Sequence, residues 1–247
     1  VFRRGFLGKV SRTSVLEHYG LRTLLYGTLL PGPDIGRREA RLLASVRDCG
    51  FEVGIHTWDH IRWQDGVARR DAAWTRAEMS KAVERFTAIF GTAPRTHGAA
   101  GWQMNDAAFA MEETLGMDYA SDTRGDSPFI PLIAGRPLRC PQLPTTLPTL
   151  DELLGIDGTT ADNVADVLLA RTGPTATRNH VYTLHAELEG MTLRPAFARL
   201  LSGWKAQGYE LVAMERLWRS LDPATLPYCP VRSGELPGRS GTLALQG

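Results

Sequence analysis

Two histidines, His56 and His60, stand four positions apart directly after the apolar stretch "FEVGI". One helical turn between them would bring both imidazoles to the same side, where they can bind a single divalent ion. The same spacing also arises by chance. The alternative is that His56 is a buried histidine at a strand end and that Thr57 or Asp59 caps the next turn. Asp59 would point away from an ion held by both histidines, so we expect it to cap or to support rather than to ligate.

Amide hydrolysis is the chemistry that such a site permits. A divalent ion held by two histidines and a carboxylate keeps open positions at which water becomes a nucleophile near neutral pH. The leaving amine must also receive a proton, and histidine suits that task near neutral pH. The candidate acid is His185 in "VYTLHAELEG". The alternative for His185 is a core histidine whose ring bonds the backbone.

The elements that would position these residues alternate between helix and strand from Arg37 onward, which predicts an α/β fold with a parallel sheet or barrel inside a layer of helices. Strands are predicted at 51–55, 95–98, 117–121, 181–185 and 209–214, and helices at 37–50, 75–91, 106–115, 162–171 and 195–207. Thr75 and Glu78 are expected to form a capping box at the start of the second helix. The stretch 129–149 is proline-rich, and within it 138–147 could form an edge-like extended segment, since Pro141 and Pro144 argue against a central strand.

Polar side chains follow several of the predicted strands. In barrels of this kind the chemistry lies where strands end and loops begin. The residues at such positions are His56, His60, His97, Asp122, His185 and Glu187. The sequence therefore predicts that they line one rim.

Two short motifs carry a specific family resemblance. The stretch "HTWDH" resembles the H-(S/T)-x-x-H metal motif of the NodB-type polysaccharide deacetylases, and "YTLHAELEG" resembles their late histidine motif. Within that superfamily, "EVGIHTWDHIRWQD", "THGAAGWQ", "YASDTRG", "QLPTTLPTLDELLG" and "VYTLHAELEG" are similar to the 4-deoxy-4-formamido-L-arabinose-phosphoundecaprenol deformylases. The resemblance runs from the first residues to about Arg239. It implies a distorted (β/α) barrel of the NodB type, incomplete at its N-terminal end.

The resemblance also implies an activity and a set of site residues. The reaction would be metal-dependent hydrolysis of the formamide of an undecaprenyl-linked amino sugar, giving formate and an amine used in lipid A modification and polymyxin resistance. The implied metal ligands are His56 and His60, the implied catalytic residues are His185 and Asp122, and the substrate-binding candidates are His97, Trp102, Gln103 and Glu187. The cofactor would be one divalent ion, since two imidazoles and a carboxylate suit zinc, cobalt, nickel or manganese.

One departure from the superfamily pattern concerns the first motif, an aspartate pair that supplies a metal ligand and the general base. No aspartate precedes Asp34 in this sequence. We therefore expect a fragment that lacks its third ligand and its base. The full-length protein is expected to be an enzyme, and an inactive chain is the alternative for the sequence as it stands.

Composition excludes several classes of protein. Lys and Arg number 28 against 27 Asp and Glu, a balance that gives no sign of nucleic-acid binding. Three cysteines without a CxxC spacing indicate neither a zinc ribbon nor a disulfide framework. No apolar run approaches the roughly 18 residues that a membrane span needs.

The opening stretch "FRRGFLGKVSR" has the composition of a basic amphipathic surface helix. Its predicted membrane contacts are Phe2, Arg3, Arg4, Phe6, Leu7 and Lys9. Anionic phospholipid attracts each such charge by about 1 kcal/mol. This predicts peripheral attachment to the anionic cytoplasmic face of the bacterial inner membrane, where a polyprenyl-linked substrate resides. The alternative is a helix that packs on other parts of the protein.

We predict a single domain over residues 1–247, with a basic amphipathic and loop segment at 1–36 and an irregular tail at 222–247. Two other functions stay open at this point. One is a deacetylase of the same superfamily that acts on another N-acyl sugar. The other is a non-catalytic module that binds carbohydrate or lipid.

Overall fold

The structure of the chain is a computed structural model that describes Tyr26 and residues 32–173, 178–239 and 241–247. The predicted membrane contacts, Phe2, Arg3, Arg4, Phe6, Leu7 and Lys9, lie outside these residues. Within the described residues, no helix combines the length and the apolar character that crossing a bilayer requires.

The described helices are, in chain order, α1 (Ile35–Arg38), α2 (Ala40–Asp48), α3 (His60–Gly66), α4 (Ala72–Phe90), α5 (Asp106–Leu115), α6 (Leu150–Leu153), α7 (Val164–Arg171), α8 (Arg194–Ala206) and α9 (Met214–Arg219). Short 3-10 turns occupy Val67–Arg69, Ala100–Trp102 and Pro223–Thr225, and a π-helical turn occupies Leu188–Thr192. The strands are β1 (Thr96–His97), β2 (Tyr119–Ala120), β3 (Ile130–Ile133), β4 (Arg136–Pro137), β5 (Tyr228–Gly234) and β6 (Leu243–Gln246).

A series of parallel pairings forms the frame of the fold. Ile55 bridges His97 in parallel, β1 pairs with β2 in parallel, and Ala120 bridges Gln142 in parallel. Helices α3, α4 and α5 lie between these extended segments in sequence. Such alternation of short parallel strands with crossover helices confirms the predicted α/β class. A second sheet has the order β4-β3-β5-β6.

The chain divides into two compact units. The first contains the described parts of Leu147–Arg178 and Tyr182–Leu211, and the second contains Ile35–Thr146, Asn179–Val181 and Val212–Gly247. In the first unit, α6, α7 and α8 bury an apolar cluster that includes Leu168, Leu200 and Trp204. The second unit has several clusters. One of them joins α4 to the parallel strands, and another surrounds the fully buried Trp63. Whether the whole sequence forms one domain stays a prediction.

Helix α4 begins four residues before the predicted capping box. Its N-cap is Asp71, whose carboxylate accepts the amide N–H of Trp74 at 2.8 Å. Thr75 lies inside the helix and donates its hydroxyl to the carbonyl of Asp71 at 3.0 Å. The capping box at Thr75 and Glu78 was therefore a wrong prediction. Aspartate caps a helix as well as threonine does. The apolar face of α4 that packs on the protein also already includes the helical turn before Thr75.

Two predicted strands are absent from the described residues. In the stretch 181–185, Val181 and Thr146 exchange hydrogen bonds, and 209–213 precedes α9; neither stretch belongs to a sheet of the described residues. A strand needs a partner at hydrogen-bonding distance in addition to an apolar pattern of its own.

The proline-rich stretch and the C-terminal tail are more regular than predicted. Gln142 is paired on both sides, with Ala120 in parallel and with Phe129 antiparallel. Pro141 contributes only its carbonyl, which accepts the amide of Ala120 at 2.9 Å, so its missing N–H leaves no gap in the ladder. The tail predicted as irregular contains β5 and β6, which pair antiparallel with Val231 opposite Gln246. That part of the prediction was wrong.

Candidate functional site

The two histidines of the "HTWDH" motif lie side by side where the extended stretch at Ile55 ends. Thr57 adopts a left-handed conformation, with φ of 63°, and turns the chain. Asp59 is the N-cap of α3 and accepts the amide of Arg62 at 2.9 Å, which confirms its predicted capping role. The rings of His56 and His60 have centroids 5.2 Å apart and planes inclined by 52°. Both residues are exposed, so the pair is open to an ion and to substrate.

One contact of His56 bears directly on metal binding. Its Nδ1 donates to the carbonyl oxygen of Gly98 at 2.5 Å. Because a carbonyl only accepts, Nδ1 carries the proton, and Nε2 of the neutral ring is the nitrogen with the lone pair. A histidine that ligates a metal typically donates its other ring N–H to a carbonyl or a carboxylate in this way. The residues present therefore fit a divalent ion held by His56 and His60.

A second cluster lies in the interior and unites two of the predicted site residues. The Nδ1 of His97 is 2.7 Å from a carboxylate oxygen of Glu112 and 3.0 Å from one of Asp122, and all three side chains are buried. Asp122 also accepts the amide N–H of Ala99 at 2.7 Å. The Nε2 of Gln142 donates to Asp122 at 3.1 Å and to Glu112 at 3.3 Å.

Burial and mutual charge set the protonation of this cluster. Burial alone would lower the pKa of His97, but the charge of Asp122 and hydrogen bonds to both carboxylates outweigh it and raise the pKa to about 10. Burial and the charge of Asp122 raise the pKa of Glu112 well above its ordinary value. Burial opposes ionisation of Asp122, yet the charge of His97 lowers its pKa. The cluster is thus an imidazolium bonded to one carboxylate and one neutral carboxylic acid.

The same three residues have the composition of a metal site, since their ligand atoms lie within 4.8 Å of one another. The separations of 2.7 and 3.0 Å, however, are hydrogen-bond lengths from one shared nitrogen. Donors from Ala99 and Gln142 already point at the Asp122 oxygens. We therefore interpret the cluster as a proton-holding network and the exposed histidine pair as the candidate metal site.

Sequence reasoning named His97 and Asp122 but missed Glu112 and Gln142. A signal for Glu112 existed. It shares a helical face with Ala108 and Phe109, and both of these are buried. An acidic residue at a core position of an amphipathic helix normally has a buried partner. Gln142 had no comparable signal, because it lies in the proline-rich stretch.

The predicted substrate-binding residues of this unit are mostly internal. His97, Trp102 and Gln103 are all buried. The indole of Trp63 donates to the carbonyl of Gln103 at 2.7 Å, which ties the loop after β1 to helix α3. Their contact with substrate stays a prediction, and for His97 the surroundings indicate a structural contribution.

The predicted acid His185 belongs to the other unit. Its Nδ1 lies 3.4 Å from a carboxylate oxygen of Asp151, and its amide N–H donates to Glu189 at 3.0 Å. Glu189 is buried and also accepts the hydroxyl of Tyr182 at 2.7 Å. This anchoring fixes the backbone at His185 and places a carboxylate beside its ring. Asp151 and Glu189 were not named from the sequence, and the role of Glu187 stays a prediction.

A cavity of about 350 Å³ lies near the amino ends of the parallel strands. Its lining includes Val53, Thr96 and Tyr119, which begin or precede the paired residues. The hydroxyl of Tyr119 donates to Glu52, and its ring lies 6.0 Å from that of Trp218. Because the histidine pair follows the strands rather than preceding them, this cavity is separate from the candidate site.

The sequence of this chain is similar to a described protein family and to two named proteins. A family model described as polysaccharide deacetylase matches residues 15–120. A protein of Shewanella sediminis, named as a probable 4-deoxy-4-formamido-L-arabinose-phosphoundecaprenol deformylase ArnD, is 34% identical over 100% of this chain and 78% of its own. A protein of the same name from Wigglesworthia glossinidia brevipalpis is 26% identical over 98% of this chain and 83% of its own.

A solved structure shows the fold. The crystal structure of a Mycobacterium smegmatis protein assigned to the polysaccharide deacetylases superposes with a TM-score of 0.63, covering 94% of this chain and 82% of its own, at 17% identity. The predicted NodB-type fold is thereby confirmed.

Proposed function

The chain belongs to the polysaccharide deacetylase family, and from that premise we propose that it is a deformylase, an amide hydrolase that removes the formyl group from a 4-formamido sugar linked to undecaprenyl phosphate. The similarity to a protein named as a probable deformylase, at 34% identity over 100% of this chain and 78% of that protein, supports this substrate. The main observation in support of the chemistry is the histidine pair. In it, the Gly98 carbonyl accepts the Nδ1–H of His56 and leaves Nε2 to bind a metal ion. Water adds to the formyl carbon, the C–N bond breaks, and the products are formate and a free amine.

His56 and His60 would hold one divalent ion, zinc, cobalt, nickel or manganese. When bound, such an ion supplies Lewis-acid activation of water and of the formyl oxygen. The protein residues do the rest. The Gly98 carbonyl orients His56, and Asp122 fixes the neighbouring peptide through the amide of Ala99. These contacts hold the site in place before substrate arrives.

His185 would act as the general acid that protonates the leaving nitrogen. A carboxylate oxygen of Asp151 lies 3.4 Å from Nδ1, on the side of the ring away from Nε2. Nε2 would carry the proton that the departing amine receives. Glu189 accepts the amide N–H of His185 and so fixes the backbone from which the imidazole ring projects.

We further propose that the chain works at the anionic cytoplasmic face of the inner membrane, since its substrate carries a polyprenyl tail. The basic and apolar composition of "FRRGFLGKVSR" supports this placement. The amine product would serve lipid A modification and polymyxin resistance. The rival function is deacetylation of another N-acyl sugar, and the general description of the family model that matches residues 15–120 supports it.

The test measures formate release from an undecaprenyl-phosphate 4-formamido sugar, beside acetate release from the 4-acetamido analogue, together with metal content per chain. We expect formate release, about one divalent ion per chain, and loss of both in His56→Ala. His180→Ala is the matched control, because His180 contacts Thr146 rather than the pair. Faster release of acetate would favour the rival. Absence of both products and of bound metal would refute a hydrolase.

A further inference from the structure

Two arginines pack against one buried tryptophan in the loop after β1. The guanidinium carbons of Arg124 and Arg239 each lie 4.7 Å from the centre of the Trp102 ring. The ring is fixed, because its Nε1 donates to the hydroxyl of Thr145 at 3.1 Å and the residue is only 4% exposed. Two cations are thus gathered around a single rigid aromatic surface.

The backbone around this cluster is held as firmly as its side chains. The amide of Arg124 donates to Ala244 at 2.9 Å, and the carbonyl of Arg124 accepts the amide of Gln246 at 2.8 Å. Trp102 adopts a left-handed conformation with φ of 53°. That conformation is unfavourable for a residue other than glycine, and it persists where the surroundings impose it, commonly at ligand sites.

The cluster, like the histidine pair, includes residues that follow the ends of parallel strands. Arg124 follows β2 and Trp102 follows β1, so both come after the carboxyl ends of parallel strands. The carbonyl of Gln103 accepts the indole N–H of Trp63, and Trp63 belongs to α3, the helix that His60 begins. A ligand bound at the histidines can therefore extend toward the arginines along one edge.

We propose that Arg124 and Arg239 bind the phosphate of a polyprenyl-phosphate sugar, and so anchor the substrate by a group that does not react. A guanidinium can pack on an aromatic ring and still present planar, paired N–H donors, whose geometry matches that of phosphate oxygens. Each arginine brings a permanent positive charge to the ring, and the negative charge of a phosphate complements it. The proposal rests on the proposed function for the identity of the ligand.

This arrangement would explain selection for a lipid-linked sugar. In a 4-formamido pentose the nitrogen is at one end of the ring and the phosphate is attached at the other. Binding energy from the phosphate would hold the formamide at the histidine pair, so loss of the phosphate contact would lower kcat/KM for the lipid-linked substrate.

The experiment measures binding of geranyl phosphate to the purified chain by calorimetry, with geraniol and inorganic phosphate as separate probes. We expect geranyl phosphate to bind, and Arg124→Gln and Arg239→Gln each to weaken it by about tenfold or more, as for other charge-assisted hydrogen bonds. Arg47→Gln is the matched control. The guanidinium carbon of Arg47 lies 5.6 Å from the centre of the Phe90 ring, and this pair is away from the strand ends. Arg239→Lys should recover part of the affinity, because it restores the charge without the paired donors.

Equal affinity in wild type and both glutamine variants would overturn the proposal, as would equal binding of geraniol. Competition by inorganic phosphate at comparable affinity would identify a free-phosphate site instead of a lipid-phosphate site and would also overturn it. Far-UV circular dichroism checks that each variant is folded.

Because binding is measured without turnover, failure of the phosphate site can be told apart from failure of the proposed function. A chain that releases formate with unchanged kcat/KM in both variants keeps its function and loses this site, whereas arginine-dependent binding without formate release keeps the site alone.

Discussion

Replacing Asp122 or Glu112 by its amide tests the charge assignment of the interior network. Asp122 carries the negative charge, because His97 lowers its pKa, whereas burial and Asp122 keep the proton on Glu112. Asp122→Asn therefore removes a charge that a buried imidazolium needs. Glu112→Gln replaces a neutral acid by a neutral amide of the same shape. Two substitutions of similar size should then have very different effects.

The magnitude for Asp122→Asn follows from its partners. The Asp122 oxygens face three donors, from Ala99, Gln142 and His97, and an asparagine offers one oxygen and one further donor. Removing one member of a buried ion pair typically costs about 3–5 kcal/mol. For a chain of this size, each kcal/mol lowers Tm by about 2–4 °C, so we expect a decrease of about 6–20 °C.

For Glu112→Gln we expect a change in unfolding free energy of no more than about 1 kcal/mol, because the amide oxygen can accept from His97 and its NH₂ replaces the acidic O–H. The assay is calorimetric or fluorescence-detected thermal unfolding at pH 7. Asp118→Asn is the matched control, since Asp118 forms a half-exposed ion pair with Arg95 and should change stability by at most about 1 kcal/mol. Equal losses in the Asp122 and Glu112 variants would refute the assignment of charge.

Other predictions concern pH, catalysis and packing. The pKa of His97 is about 10 in the folded chain, against 6.5 for an ordinary imidazole. The resulting stability is complete below pH 6.5 and is lost as pH rises toward 10, by up to about 1.4 kcal/mol per pH unit. His97→Gln should flatten this slope in urea unfolding measured from pH 6.5 to 10. His185→Ala should retain metal and lose about 10² to 10⁴-fold in kcat, and unchanged turnover would remove it as the acid. Leu200→Ala should lower the free energy of unfolding by about 2–5 kcal/mol, because Leu200 is fully buried among α6, α7 and α8. The measurement is chemical denaturation, and a smaller loss would mean that the neighbouring side chains collapse into the cavity. Asp71→Ala should cost about 1 kcal/mol through the lost cap of α4, measured against Asp71→Ser, which retains a capping oxygen.

Local patterns predicted the elements that depend on local chemistry. Helices α5 and α8 lie within a residue of the predicted 106–115 and 195–207, because helical periodicity and end signals are contained in the elements themselves. The capping role of Asp59 was predictable for the same reason, since its partner is three residues away. The stretches 181–185 and 209–214 failed as strands, because a strand depends on a neighbour that its own residues do not specify.

The same distinction between local patterns and distant contacts applies to the candidate site. The sequence by itself identified His56 and His60 as a pair through a short motif, but the left-handed turn at Thr57 and the start of α3, rather than one helical turn, bring their rings together. Only the tertiary structure decided that His97 shares its proton with Glu112 and Asp122, and that Arg124 and Arg239 meet at Trp102. These partners are separated by 15 residues or more, and they meet through the packing of α5 and the C-terminal strands on the parallel frame. A short motif specifies which residue types are close in the chain, whereas the backbone path and the packing of distant elements set their geometry.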